Sequence, residues 1–159
     1  MSDFSDDISE NNELRKKGME LSEEFALLEG RRPRILVGGA TDILTGSMNR
    51  ICNTLADMGF DVDIAPKLNT LKKLATQSLE NDSDMILICS EKCISGQELL
   101  DVQSCVWSHQ PDMMMSLYTG DPNCISALEP QLKNWKVFDQ KAGSYFMGYY
   151  LLKQLLSGS

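Results

Sequence analysis

A single histidine, His109, occurs in 159 residues, and that scarcity excludes much catalytic chemistry. A hydrolase of the Ser-His-Asp or Cys-His kind needs a base held beside its nucleophile. The segment "WSHQPD" instead puts His109 before a proline in a helix-to-strand loop with no nucleophile beside it, so no catalytic residue is assigned. Cys-x-x-Cys pairs are absent as well. Cys89 and Cys93 in "CSEKC" have a spacing that suits a metal, but no histidine is near to complete a ligand set, so the expectation is structural thiols and no metal. The cysteines number five, which is odd, and in a reducing compartment most are expected to be free.

Basic charge is also scarce. The net charge is -8, and residues 1 to 29 carry nine acids against three bases, which leaves the remainder nearly neutral. Such a body lacks the positive field that phosphate backbones and anionic membranes require, so neither nucleic acid nor a membrane is an expected partner. No apolar run approaches the roughly 20 residues that span a bilayer. The opening "MSDFSDDISENNE" does not resemble a basic, apolar secretory signal. The expected location is cytoplasmic.

What is present is alternation. Residues 1–12 are polar and acidic and read as a disordered tail. Residues 13–30 read as an N-terminal helical extension, weakened near Gly18 and stopped at Gly30. Residues 31–159 alternate short apolar runs with amphipathic stretches. Strands are expected at 34–38, 61–65, 84–90, 112–119 and 135–139. The helices between them are expected at Ser47 to Met58, Thr70 to Glu80, Gly96 to Ser108, Cys124 to Leu132 and Gly143 to Leu156. Five βα units in a row predict an α/β, flavodoxin-like (Rossmann-like) parallel sheet of order 2-1-3-4-5 with helices on both faces.

In that arrangement ligands sit at the carboxyl ends of strands 1, 3 and 4. The first such loop, within "ILVGGATDILTGSMNRI", offers glycines for close backbone approach, and Thr45 or Ser47 can cap the following helix. It is neither G-x-G-x-x-G nor a Walker A loop and has no lysine for a phosphate. Tight-turn geometry and helix capping explain it without a ligand. Asp42 suggests a phosphoacceptor receiver domain, but the aspartate such a domain needs at the end of strand 3 is replaced by Cys89 or Ser90. Ser90 stands at the switch point, where its hydroxyl can meet a ligand or cap its own turn. The "MMM" run, Met113 to Met115, reads as a buried strand. "SYFMGYY" reads as a helix with half its aromatics against the sheet.

The run "EEFALLEGRRPRILVGG" leading to "LADMGFDVDIAPKLNT" resembles the cobalamin-binding domain at the C-terminus of methylmalonyl-CoA mutase. The likeness extends from about Met19 to Leu156 and includes "GRRPRIL", "GFDVDI", the "AP" and Thr70 lead into a helix, and "ENDSDMILICS". The resemblance implies a flavodoxin-like fold and an isomerase family whose first loop carries Asp-x-His-x-x-Gly, the histidine ligating cobalt. Counting back from Gly46 puts Thr41 and Ile43 where that aspartate and histidine stand, and neither ligates cobalt. Ser90 matches the family serine that contacts the nucleotide tail, and Gly120 is what remains of paired glycines after strand 4.

The cofactor-contact candidates are therefore Thr41, Asp42, Thr45, Gly46, Ser47, Ser90 and Gly120. The resemblance implies a domain that is not catalytic alone, binds cobalamin without histidine ligation or not at all, and partners an acyl-CoA mutase barrel subunit or a second copy of itself. The alternative from another class is a flavodoxin-like binder of a flavin or a phosphorylated small molecule, held at "LTGSMN".

Overall fold

The computed structural model describes residues 4–39, 45–65 and 71–157. The first strand is β1 (Arg34–Gly39), preceded by α1 (Phe4–Glu29) and followed by α2 (Thr45–Asp57). Then come β2 (Asp61–Ile64), α3 (Leu71–Glu80), β3 (Met85–Ser90), α4 (Gly96–Trp107), β4 (Met114–Thr119), α5 (Cys124–Leu128), β5 (Trp135–Phe138) and α6 (Ser144–Ser157). The five strands form one sheet in the order β2-β1-β3-β4-β5, and every adjacent pair is parallel. The expected flavodoxin-like topology is the observed one.

A parallel sheet covered on both faces needs strands that are apolar on both sides. All six residues of β3 are buried, and alternate residues along the strands serve opposite cores. Leu36, Ile86, Ile88, Met115 and Leu117 pack with Leu74, Leu99, Val102 and Leu128 from α3, α4 and α5. Ile35, Val37, Met85, Leu87, Cys89 and Tyr118 pack on the other face with Ile51 and Leu55 of α2 and Met147 and Leu151 of α6. Ser116 and Thr119 are fully buried polar residues within β4, and the Ser116 hydroxyl donates to the Ile86 carbonyl at 2.8 Å. No helix among the described residues is long and apolar enough to cross a membrane.

Helix α1 forms an outer layer on α2 and α6. It is helical from Phe4, so residues 4–12, expected from their composition to be a disordered tail, belong to the helix. Glu10, Asn11 and Leu14 lie against the β5–α6 connection, a contact that composition does not register. The helix also runs unbroken through Gly18, where a weakening was expected. Gly18 is buried because the Met58 side chain crosses it, with Leu152 alongside, so the glycine makes room for a neighbour rather than breaking the helix.

Ser22 donates to the Met58 carbonyl at 2.6 Å, and Arg15 pairs with Asp57 at 2.7 Å. The helix stops as expected at Gly30, whose φ of 78° is the left-handed conformation suited to glycine. Beyond it, both guanidinium nitrogens of Arg31 donate to the two Asp84 oxygens at 2.7 and 2.8 Å, and the Arg34 amide donates to the same carboxylate at 2.7 Å. This joins the start of β1 to the start of β3.

Most boundaries differ from the sequence reading by one or two residues, and that of α5 by four. Helix α5 ends at Leu128 rather than Leu132, because Pro130 cannot supply an amide to continue it. Strand β4 begins at Met114, after Trp107 Nε1 has donated to the Met113 carbonyl at 2.9 Å.

Candidate functional site

The carboxyl edge of the sheet, where open α/β folds hold ligands, divides into a closed part and an open part. The closed part follows β3 and β4. The Ser90 side chain is buried and its hydroxyl donates to the Lys92 carbonyl at 2.6 Å, so it caps its own turn. Gly120 donates its amide to the Ser90 carbonyl at 2.8 Å. A Cβ at Gly120 would lie 2.9 Å from the Glu91 carbonyl oxygen, so glycine is there to let the two loops touch. Thr119 Oγ1 accepts from the Asp121 amide, Asp121 accepts from the Asn123 amide, and Ser95 caps α4 by accepting from Gln97.

A disulfide between Cys93 and Cys124 joins these two loops across a Cα separation of 5.3 Å. Most cysteines were expected to be free, and Cys52, Cys89 and Cys105 are; the pair is the correction. Its cause is topological: β3 and β4 are neighbours, so residues just beyond their ends meet although 31 positions separate them. Cys89 and Cys93 therefore do not form a ligand pair. Cys89 points into the α2/α6 core, where burial pushes its thiol pKa far up. Among the described residues no cluster of three His, Cys, Asp or Glu side chains is placed to hold a metal.

The open part lies between α2 and α6. A cavity of about 560 Å³ is lined by Ser47, Arg50 and Thr54 from α2, Tyr118 from β4, Gln140, Ala142 and Gly143 from the β5–α6 connection, Ser144 and Tyr145 from α6, and Asn11 from α1. Ser47, Arg50 and Thr54 share one side of α2 because they are spaced by three and four residues. Met48, Ile51, Cys52 and Leu55 turn the adjoining side to the core. The Tyr118 phenol is raised above its ordinary pKa by burial, against the lowering influence of the neighbouring Arg50. Tyr145 donates to Asp57 at 3.2 Å.

The sequence candidates thus separate. Ser90 and Gly120 are brought together in the closed part, and Ser47 lines the open part. Gly46 is exposed, with open space where a Cβ would be. Thr41 and Asp42 lie outside the described residues, as does Ile43, and Thr45 is described only as the first residue of α2. His109 is exposed, as expected. It sits in the α4–β4 connection, at the opposite edge of the sheet, among Ser83, Asp84 and Asp112. The reading of the residues missed Arg50, Thr54, Tyr118 and Ser144. The spacing of Ser47, Arg50 and Thr54 beside an apolar stripe was the available signal for the α2 members. The others come from distant segments that only the fold unites.

The fold and its carboxyl edge define a flavodoxin-like α/β domain with a polar cavity beside β4. No protein-family model matches the chain. It is 35% identical over 88 residues to the methylmalonyl-CoA mutase large subunit of Propionibacterium freudenreichii subsp. shermanii, which is 55% of this chain and 12% of that protein. It is 38% identical over 80 residues to the corresponding subunit of Porphyromonas gingivalis, covering 45% of this chain and 10% of that one. The chain thus spans about a tenth of the length of these relatives, and about half of it is related in sequence to part of a mutase large subunit. A solved chain assigned to pilus assembly (CpaE) in Burkholderia thailandensis superposes with a TM-score of 0.57 at 16% identity, covering 79% of this chain and 98% of that one, which shows a shared fold alone.

Proposed function

We propose that this chain is a mutase-related, cobalamin-binding-like domain, not catalytic by itself, that serves as a non-catalytic subunit or interaction module of an acyl-CoA mutase-type assembly. The observation that carries the reading is the identity with mutase large subunits, on a sheet of order 2-1-3-4-5. A catalytic barrel of the kind such mutases use takes about 250 residues, and every described element here belongs to one α/β sheet and its helices.

The donor set does not fit a histidine-ligated cobalt. The chain's one histidine is at the edge of the sheet opposite the carboxyl ends, and Thr41 and Ile43 are not cobalt ligands. The Ser90 hydroxyl, matched by resemblance to a nucleotide-tail contact, is already given to Lys92. Cobalamin binding is therefore proposed to be weak, with the cofactor keeping its own base on cobalt, or lost, and no reaction step is assigned to it.

Titration with hydroxocobalamin, followed by absorbance, tests the site. Weak or absent binding with an unchanged base-on spectrum is expected. Tight binding with the spectrum of a histidine-ligated cobalt would overturn it. Co-purification with a mutase barrel subunit tests the assembly, and failure of the two to associate would remove that part of the reading.

A further inference from the structure

We propose that the cavity between α2 and α6 binds a small metabolite through a phosphate group, with Arg50 as the principal anion contact. This assignment does not rest on cobalamin binding or on any mutase partner.

The lining residues supply one guanidinium, four hydroxyls, from Ser47, Thr54, Tyr118 and Ser144, and two amides, from Asn11 and Gln140, while the Tyr145 hydroxyl is given to Asp57. Among the described lining residues none is a carboxylate. A cavity whose described lining gathers a guanidinium, hydroxyls and amides favours an anion, because an oxyanion is held by hydrogen-bond donors. The volume, about 560 Å³, is within the range of small-molecule sites.

Three observations point to a ligand rather than to a generic polar groove. Arg50 makes no ion pair among the described residues, and the Tyr118 phenol neighbours it. A guanidinium presents a planar fork that matches two phosphate oxygens at once. Second, Thr54 is only 8% exposed, yet its hydroxyl makes no hydrogen bond among the described residues, and it lines this cavity. The hydroxyl opens to the cavity rather than being sealed in the core, so it is accessible to a ligand.

Third, α2 and α6 both begin here. Ser47 is in the first turn of α2 and Ser144 opens the 14-residue α6, and neither first turn contains an acid. Two helix N-termini directed at one space reinforce its preference for an anion. Two neighbouring acids among the described residues are already engaged: Asp57 is paired with Arg15 at 2.7 Å, and Asp139 accepts from the Lys141 amide at 2.8 Å. The hydroxyls and amides that remain suit a hydroxylated body attached to the phosphate.

The test is chemical-shift mapping on the isotopically labelled full chain, titrated separately with inorganic phosphate, ribose 5-phosphate and ribose. Phosphate and ribose 5-phosphate are expected to shift the amide resonances of residues 47–54, 118 and 140–145, with the sugar phosphate binding more tightly and ribose alone leaving them in place. Arg50→Gln should weaken phosphate binding at least tenfold, Arg50→Lys should recover part of it, and Thr54→Val should weaken it less.

Arg50 is solvent-exposed at the cavity mouth, so its variants should fold, and unchanged spectra elsewhere would verify that. The proposal is overturned if phosphate shifts nothing, if the shifts map to residues 90–96 and 120–124 instead, if ribose reproduces them, or if Arg50→Gln binds as tightly as the parent. A negative cobalamin titration alongside positive phosphate shifts would separate the failure of the cobalamin reading from the fate of this one.

Discussion

At the scale of single residues, the most consequential group outside the cavity is Asp84. Its carboxylate accepts from both nitrogens of the Arg31 fork and from the Arg34 amide, while 16% of the side chain is exposed. Charge-assisted and bidentate bonds in a partly buried setting exceed the worth of an exposed ion pair. Asp84→Ala, which leaves a guanidinium and a backbone amide without their acceptor, should therefore destabilise the fold by about 2–3 kcal/mol in a urea titration. A loss below ~0.5 kcal/mol would show the cluster to be ornamental.

Cys89 gives the residue-scale pH dependence. Its thiol is fully buried and pushed well above the ordinary value of 9.0. Below that pH the folded and unfolded chains both keep the proton and the stability is fully present. Above it the unfolded chain ionises while the folded one resists, so stability falls as pH rises, by up to about 1.4 kcal/mol per unit from this group. The raised phenol of Tyr118 acts in the same direction at higher pH. Unfolding midpoints measured across the alkaline range should fall less steeply in Cys89→Ala than in the parent, and equal slopes would count against the assignment.

At the scale of elements, the loops after β3 and β4 behave as one unit because Cys93 and Cys124 join them. Closing a loop of 31 residues removes freedom from the unfolded chain. Reduction should lower the unfolding free energy by about 3–4 kcal/mol, seen as a reductant-dependent midpoint that Cys93→Ser reproduces. Identical midpoints with and without reductant would refute it.

The elements also show what sequence discloses. The apolar runs at 34–38 and 84–90 announced β1 and β3, since a strand covered on both faces has to be apolar throughout. The boundary of α5 was missed because the apolar pattern continues to Leu132, whereas helix length there is decided by Pro130. Nothing local in the Cys93 and Cys124 segments reveals their meeting, which follows from the adjacency of β3 and β4. Ser47 was legible as a loop-proximal hydroxyl. Its partners Tyr118 and Ser144 were not, because each is 26 or more positions from the next along the chain and only strand order and helix placement unite them.

At the scale of the whole molecule, α1 adds a second layer of helix on one side of the sheet. The strands are covered by α2 and α6, and those in turn by α1, with Gly18 against Met58 and Gly148 against the same side chain. The acidic N-terminal stretch is thereby placed beside the β5–α6 connection and supplies Asn11 to the cavity wall. The net charge of the chain and the donor character of the cavity are therefore separable properties. Most of the acidity sits on α1, while the cavity gathers donors from α2, β4 and α6.

The cross-link between Cys93 and Cys124 has a mechanical meaning as well. All of α4 and β4 lies inside the closed ring of chain, so a protein pulled by its two ends cannot pay out that segment. Its fully stretched length would be shorter by roughly 100 Å than the same chain with its thiols reduced. Under tension, the segments before Cys93 and after Cys124 can be drawn out, while the stretch between them carries no load as long as the bond holds.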